Sequence, residues 1–264
     1  ILDGKRAIVY DLLETTDKVK YLDEIGYIPT TQIARSPDGL ASQLYESVNL
    51  LQDSRINLFT SNETDTTYQL DETNIDAVEL VEVLNENGQW ITKAKNDDYN
   101  VDLAKGQVKF LVTVGNPPVD GRDNVRIKFK KVNSDNKSQV NKCNIVSVYG
   151  YAGANNRIFI AGNPDYPNIL MYSYLENITY IPVENVIKIG LEVVSITGMT
   201  KLNNGKLAVL KNVSDTDSTI FYIGYGTFNN NEAFPLEGSI KGEGNISKYA
   251  SDILLNEPLI LSRN

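Results

Sequence analysis

The chain contains no histidine, and Cys143 is its single cysteine. Serine–histidine and cysteine–histidine nucleophiles, imidazole proton shuttles and the usual zinc sites therefore drop out together. One thiol builds neither an intrachain disulfide nor a thiolate metal centre. A phosphate-cradling loop is missing as well. The glycine-flanked candidate, Gly115-Asn-Pro-Pro-Val-Asp-Gly121, is proline-rich and lacks the Lys-Ser/Thr that would follow. Carboxylate-pair chemistry survives, because glycoside cleavage needs only two Asp or Glu side chains. With 34 acidic residues, however, some pairs lie close by chance. Asp215-Thr216-Asp217 and Asp97-Asp98 offer oxygen ligands on turns, but neither spells the ligand series of a calcium loop. The expectation is a protein with no catalytic residue, no metal and no cofactor.

Tyrosine is the more informative residue type, with 15 in 264 positions. In Gly162-Asn163-Pro164-Asp165-Tyr166-Pro167, two prolines fix φ while Asn and Asp can bond their own backbone, which predicts a stiff exposed loop. Tyr166, Tyr172, Tyr174 and Tyr180 are expected to gather near one end of the strands, and with Asn163 they are the candidate interaction residues. A tyrosine ring offers a large contact area with a polar tip, which suits an interface. Packing of the loop against its own sheet accounts for the same rings equally well.

Composition narrows the partners. A net charge of −9 argues against a nucleic-acid grip, which needs clustered Lys and Arg to displace counterions. The one basic strip, Arg126, Lys128, Lys130 and Lys131, alternates with Val125, Ile127 and Phe129 and reads as the solvated face of a strand. No run approaches the roughly 20 apolar residues of a membrane span. The start, Ile1-Leu2-Asp3-Gly4, shows no signal-peptide pattern. Cys143 opens an apolar run and reads as a packed core thiol.

The elements that would position these residues are short apolar runs separated by Asn, Gly, Asp and Pro. Ala7–Tyr10 and Val19–Leu22 read as neighbouring strands, and Gly26-Tyr-Ile-Pro-Thr30 as a turn into an edge segment. Pro37-Asp-Gly39 is a further turn, and residues 40–51 are the best helical candidate in a chain of poor helical periodicity. From about Arg55, six short strands follow in roughly 75 residues, with Asn87-Gly88 and Lys105-Gly106 between them as hairpin punctuation. That density matches a β-sandwich, with Trp90 anchoring its core or rim. Residues 131–139 are polar and read as a flexible linker. Strands then resume: 144–149 with 157–160, 193–202 with 206–210 across Asn203-Asn204-Gly205, and 219–223. Consecutive hairpin-linked strands of this kind are how propeller blades are written. The expected fold is all-β: propeller-like blades over residues 1–54 and 133–264, interrupted by an inserted sandwich at 55–132.

Asn155-Asn-Arg157-Ile-Phe-Ile-Ala-Gly-Asn-Pro-Asp-Tyr-Pro167 and Tyr172-Ser-Tyr-Leu-Glu-Asn-Ile-Thr-Tyr-Ile-Pro182 together resemble the stabilisation proteins of tailed phages and prophages of Gram-positive bacteria. That family has an Asn-Arg-apolar-Phe-apolar-Ser/Ala-Gly-Asn-Pro segment, then Tyr-Ser, then a Thr-Tyr-aromatic-Pro segment. Gly26-Tyr-Ile-Pro-Thr-Thr31, Tyr45-Glu-Ser-Val-Asn-Leu-Leu51 and Asp120-Gly-Arg-Asp-Asn-Val125 fit as well, so the resemblance spans most of the chain. One departure is Ile181, where the family has Phe before the final Pro; another is that the chain stops soon after Gly224-Tyr-Gly226. The resemblance implies a virion protein acting at the head–tail junction or tail, with other phage structural proteins as partners. It implies neither membrane nor nucleic-acid contact, and residence in the host cytoplasm during assembly. A carbohydrate-binding or glycan-cleaving β protein is the alternative. About four blades fit the residues outside the insert, so the chain is expected to belong to a longer protein or a larger closed assembly.

Overall fold

The computed structural model describes residues 1–33, 44–228, 231–255 and 257–262, and there the chain is nearly all β. The strands form several separate sheets, and none closes on itself among the described residues. Two units emerge: Tyr27–Ser134, and a discontinuous one made of Ile1–Gly26 with the chain from Asp135 onward.

The discontinuous unit opens with a hairpin. Strand β1 (Ile8–Tyr10) pairs antiparallel with β2 (Val19–Tyr21), as the two short apolar runs predict.

The continuous unit holds β3 (Thr30–Gln32), β4 (Ser54–Phe59), β5 (Thr67–Gln69), β6 (Ala77–Leu84), β7 (Trp90–Thr92), β8 (Tyr99–Asp102), β9 (Gln107–Phe110) and β10 (Val125–Lys130). They make a five-stranded sheet, β3-β4-β10-β6-β7, and a three-stranded one, β5-β9-β8. Alternation decides which side chains turn inward. Val125, Ile127 and Phe129 of β10 are fully buried, each stabilising the unit by about 1.5–3 kcal/mol. They share one core with Tyr68, Tyr99, Val108 and Phe110 of the smaller sheet. On the other face of β10, Arg126 pairs with Glu82 and Lys128 with Glu79, so these two members of the basic strip are half-buried and ion-paired rather than simply solvated.

The unit begins at Tyr27, where the sequence reading places its start at 55. The reason is β3, which pairs in parallel with β4 (Thr30 opposite Ile56) and so extends the sheet. The edge position expected of this proline-led segment holds. Residues 44–51 form no helix. Asn49 instead spans a turn, its amide nitrogen donating to the Tyr27 carbonyl (2.8 Å) and its oxygen accepting from the Leu51 N–H (3.1 Å). Residues 40–43 and the Pro37-Asp-Gly39 turn lie outside the described residues. Trp90 sits half-buried at the sheet edge, with the Arg126 guanidinium 4.5 Å from its ring centroid.

The segment read as a flexible linker contains the helix α1 (Ser134–Asn141). It is polar on nearly every face and buries only Val140, so it shows no apolar period. Long-range hydrogen bonds anchor it: Asn141 accepts from the Ala7 N–H (3.1 Å) and donates to Asp23 (3.0 Å).

Beyond the helix, β11 (Ile145–Tyr149), β12 (Arg157–Ala161), β13 (Ile169–Tyr172) and β14 (Val186–Lys188) form a four-stranded antiparallel meander. A second sheet runs β15 (Ile196–Lys201), β16 (Leu207–Lys211), β17 (Ile220–Ile223), then past the small hairpin of β18 (Gly226–Phe228) and β19 (Asn231–Ala233) to β20 (Leu236–Ile240). The last hairpin is β21 (Ser251–Leu254) with β22 (Glu257–Ile260). The facing sides of the two four-stranded sheets share one core that includes Tyr149, Phe159, Leu170, Leu207, Val209 and Phe221. On the opposite side of the second sheet, Ala208 and Leu210 meet Ile253 and Ile260 of the last hairpin. Strand β16 is therefore covered on both faces, which explains its unbroken apolar run.

Candidate functional site

Arg157 opens β12 and organises one end of the first meander. Its guanidinium is almost fully buried, donates to the Ser173 carbonyl (2.8 Å) and forms an ion pair with Glu232. The rings of Tyr172, Tyr174 and Phe234 surround it, with centroids 5.6–6.0 Å from its central carbon. Such a buried cation is held by its carboxylate and by the negative faces of the rings. Tyr172 lies flat on Phe159 (5.3 Å, 18°) because the β12–β13 register sets the two opposite each other. Burial pushes the Tyr172 phenol up, while the nearby Arg157 charge pulls the other way. Tyr180 is buried beside Tyr174 (5.4 Å), and the Tyr174 N–H donates to the Tyr180 carbonyl (2.8 Å).

Of the five candidate interaction residues, the structure thus gathers Tyr172, Tyr174 and Tyr180. It separates them from Asn163 and Tyr166. Phe159 pairs with Tyr172 and Ile160 with Met171, so the β12–β13 turn that carries Asn163 and Tyr166 lies at the opposite end of the hairpin. A single tyrosine cluster is corrected to two groups at two ends. Among the gathered rings, only Tyr174 is well exposed. Asn163 is buried, with a local structural task. Its amide nitrogen donates to the carbonyls of Ser138 (3.3 Å) and Gln139 (2.8 Å) in the last turn of α1, which also accept from the Lys142 N–H and the Cys143 thiol, and its oxygen accepts from the Asp165 N–H (2.9 Å). Tyr166 is partly exposed on that turn, next to Asp165, which pairs with Lys142 at 2.5 Å. Gly162, Asn163, Pro164 and Pro167 line a hollow of about 410 Å³ there, with the strongly exposed Tyr249 on its wall.

No protein-family model, no curated protein and no solved structure matches the chain. The adjacent acids Asp71 and Glu72 are committed to cations: Asp71 to Arg55 at 2.7 Å, Glu72 to Lys131 at 2.7 Å. Burial raises the Asp71 carboxyl, against the opposing pull of Arg55. Asp217, one of the calcium-ligand candidates, is taken up by Lys211 at 2.6 Å. Among the described residues no cluster of three or more acids, cysteine or histidine is placed to hold a metal ion. Cys143 is buried, and burial pushes its thiol up to about 12.

Arg157, Glu232 and Phe234 were missed as site residues. Arg157 stands in the sequence only as a letter of the Asn-Arg-apolar-Phe segment, and its partners Glu232 and Phe234 lie some 75 positions away. Tyr151 and Tyr225 were missed too. Their signal was local, since each follows a glycine at the end of a strand: Gly150-Tyr151 after β11 and Gly224-Tyr225 after β17.

Proposed function

We propose that this chain is a structural protein of a tailed-phage particle, acting by protein–protein contact at the head–tail junction or tail without a catalytic step. In this reading the discontinuous unit is an arc of a β-propeller and the continuous unit an inserted β-sandwich. The arc is supported by two antiparallel four-stranded meanders whose first strands, β11 and β15, lie side by side. The sandwich is supported by two sheets of the continuous unit that share one core.

The observation that carries the functional reading is the outward side of the last hairpin. Register places Leu254 and Leu259 on the side away from the core, and both are exposed, as are Leu255 (91%), Leu261 and Tyr249 (86%). Both outer edges of this two-stranded sheet are unpaired among the described strands. The same register puts the exposed acids Asp252 and Glu257 on that side, and bare leucines between them, with open ladder edges, suit coverage by another subunit. Mass spectrometry of purified particles from the host that carries the gene, with antibody labelling in electron micrographs, tests the proposal. Peptides of this chain should appear in stoichiometric amounts. Particles that contain none of it refute a virion role.

A further inference from the structure

We infer that the hollow at the Asn203-Asn204-Gly205 turn is a binding site for a neutral sugar ring of a glycan, held without being cleaved. The inference does not depend on the virion reading. The hollow measures about 470 Å³, inside the roughly 300–1,000 Å³ usual for small-ligand sites. One wall is a corner of two tyrosines. Tyr151 and Tyr225 stand at 85° with centroids 4.6 Å apart, and Tyr151 is 58% exposed. A pyranose has an apolar C–H face and a polar rim, and an open tyrosine ring matches both, with its face and its hydroxyl.

The rest of the lining supplies directional hydrogen bonds. Glu237 and Lys206 lie 2.7 Å apart, each more than a third exposed, so both heads can reach a ligand. A carboxylate accepts from two neighbouring hydroxyls, and an ammonium donates to ring or hydroxyl oxygens. Because the two charges offset each other, the hollow favours a neutral polyol over a phosphate or an amine. Asn203 adds an amide, which both donates and accepts, as a ring bearing several hydroxyls requires, while the Asn204 oxygen accepts from the Lys206 N–H (3.2 Å) and shapes the turn. Among the residues lining the hollow Glu237 is the single acid, whereas hydrolysis uses a pair.

The floor is pre-shaped. The buried Tyr149 hydroxyl donates to the Gly205 carbonyl at 2.7 Å, pinning a turn whose glycine sits at φ 80°. A Cβ on Gly224 would lie 1.8 Å from Glu237 Oε1, so the missing side chain is what leaves room for that carboxylate. Groups held in place before binding lower its entropy cost.

Saturation-transfer NMR and calorimetry with the full chain and the neutral trisaccharides chitotriose, maltotriose and mannotriose test the assignment. At least one should bind, with a dissociation constant of about 0.1–1 mM. Tyr151→Ala and Glu237→Gln should each weaken it at least tenfold at an unchanged melting temperature. Tyr151→Phe, which keeps the ring, should restore most of the affinity, and Tyr174→Ala should leave it unchanged. No binding of any of the three at about 10 mM overturns the inference. So does binding that survives Tyr151→Ala, or a response only to anionic saccharides.

Discussion

Removing the charge of Asp217 should unfold the discontinuous unit far more readily than its position on a turn suggests. Lys211, on the doubly covered β16, is wholly shut off from water. Its ammonium donates to Asp217 at 2.6 Å and to the carbonyls of Ile189 and Leu191 at 2.7 Å each. Asp217 also accepts from the Leu191 N–H (2.8 Å) and the Ser218 N–H (2.9 Å). In Asp217→Asn the cation keeps its geometry but loses its counter-charge, and no water can replace it. Breaking a buried pair in this way costs about 3–5 kcal/mol, which lowers the melting temperature by roughly 10 °C in a unit of this size. Lys211→Met should cost a similar amount. The double variant should recover to within about 2 kcal/mol of the parent, because no lone charge remains. Tryptophan fluorescence is the wrong probe, since Trp90 lies in the other unit. Tyrosine near-ultraviolet dichroism, with hydrogen exchange of the β16 amides, reads the unit concerned. Acid offers a second test. Burial raises the Asp217 carboxyl, but the Lys211 ammonium and the two N–H groups outweigh it and hold its pKa below the ordinary 3.8. Its contribution is then complete above pH 3.8 and lost as pH falls through the lower folded value. Single variants within about 1 kcal/mol of the parent, or strictly additive losses in the double variant, would refute the reasoning.

Gly106→Ala should destabilise the continuous unit by about 3 kcal/mol or more, because the position has φ 63° and a Cβ would lie 1.8 Å from the Glu72 carbonyl oxygen; urea unfolding followed by Trp90 emission checks this. Cys143 should resist thiol reagents at pH 8 in the native protein and react only on unfolding, since its thiol is buried and pushed up to about 12. A fragment of residues 27–134 should unfold cooperatively with dispersed NMR signals, and a 55–132 fragment, which lacks β3 and exposes the flank of β4, should melt lower. Equal melting of the two would mean that β3 contributes nothing.

What could be read in the sequence was local. The alternation in 125–130 and the Asn87-Gly88 and Asn203-Asn204-Gly205 turns mark their strands because side-chain period and turn chemistry act over a few residues. The helix at 134–141 was hidden because one buried valine makes no stripe and its anchors are Ala7 and Asp23. The parallel pairing of β3 depends on partners 26 positions away, Thr30 opposite Ile56, which no local pattern encodes. At the site, the tyrosines stood out by their number, but their division between two ends followed from the β12–β13 register. Asn163 was legible as a loop residue and not as the partner of a helix end, since Ser138 and Gln139 meet it only in the folded chain.

The discontinuity of the first unit has a consequence for the order of folding during synthesis. Gly4 and Ala7 donate to Cys143 and Asn141, so the first 26 residues wait for partners that leave the ribosome after the whole second unit. That second unit can fold in the interval, and its topology makes the wait less costly. Ile56 pairs with Thr30 on one side and Lys128 on the other, so the two ends of the unit lie about 10 Å apart, two strand spacings. Once folded, it presents to the rest of the chain a short stiff tether in place of a loop of roughly a hundred residues, saving about 3 kcal/mol of closure entropy. The inserted unit therefore acts as a clasp that brings the N-terminal hairpin back to α1, and a variant that delays its folding should leave Leu2, Ala7 and Leu22 open to chaperones and proteases for longer.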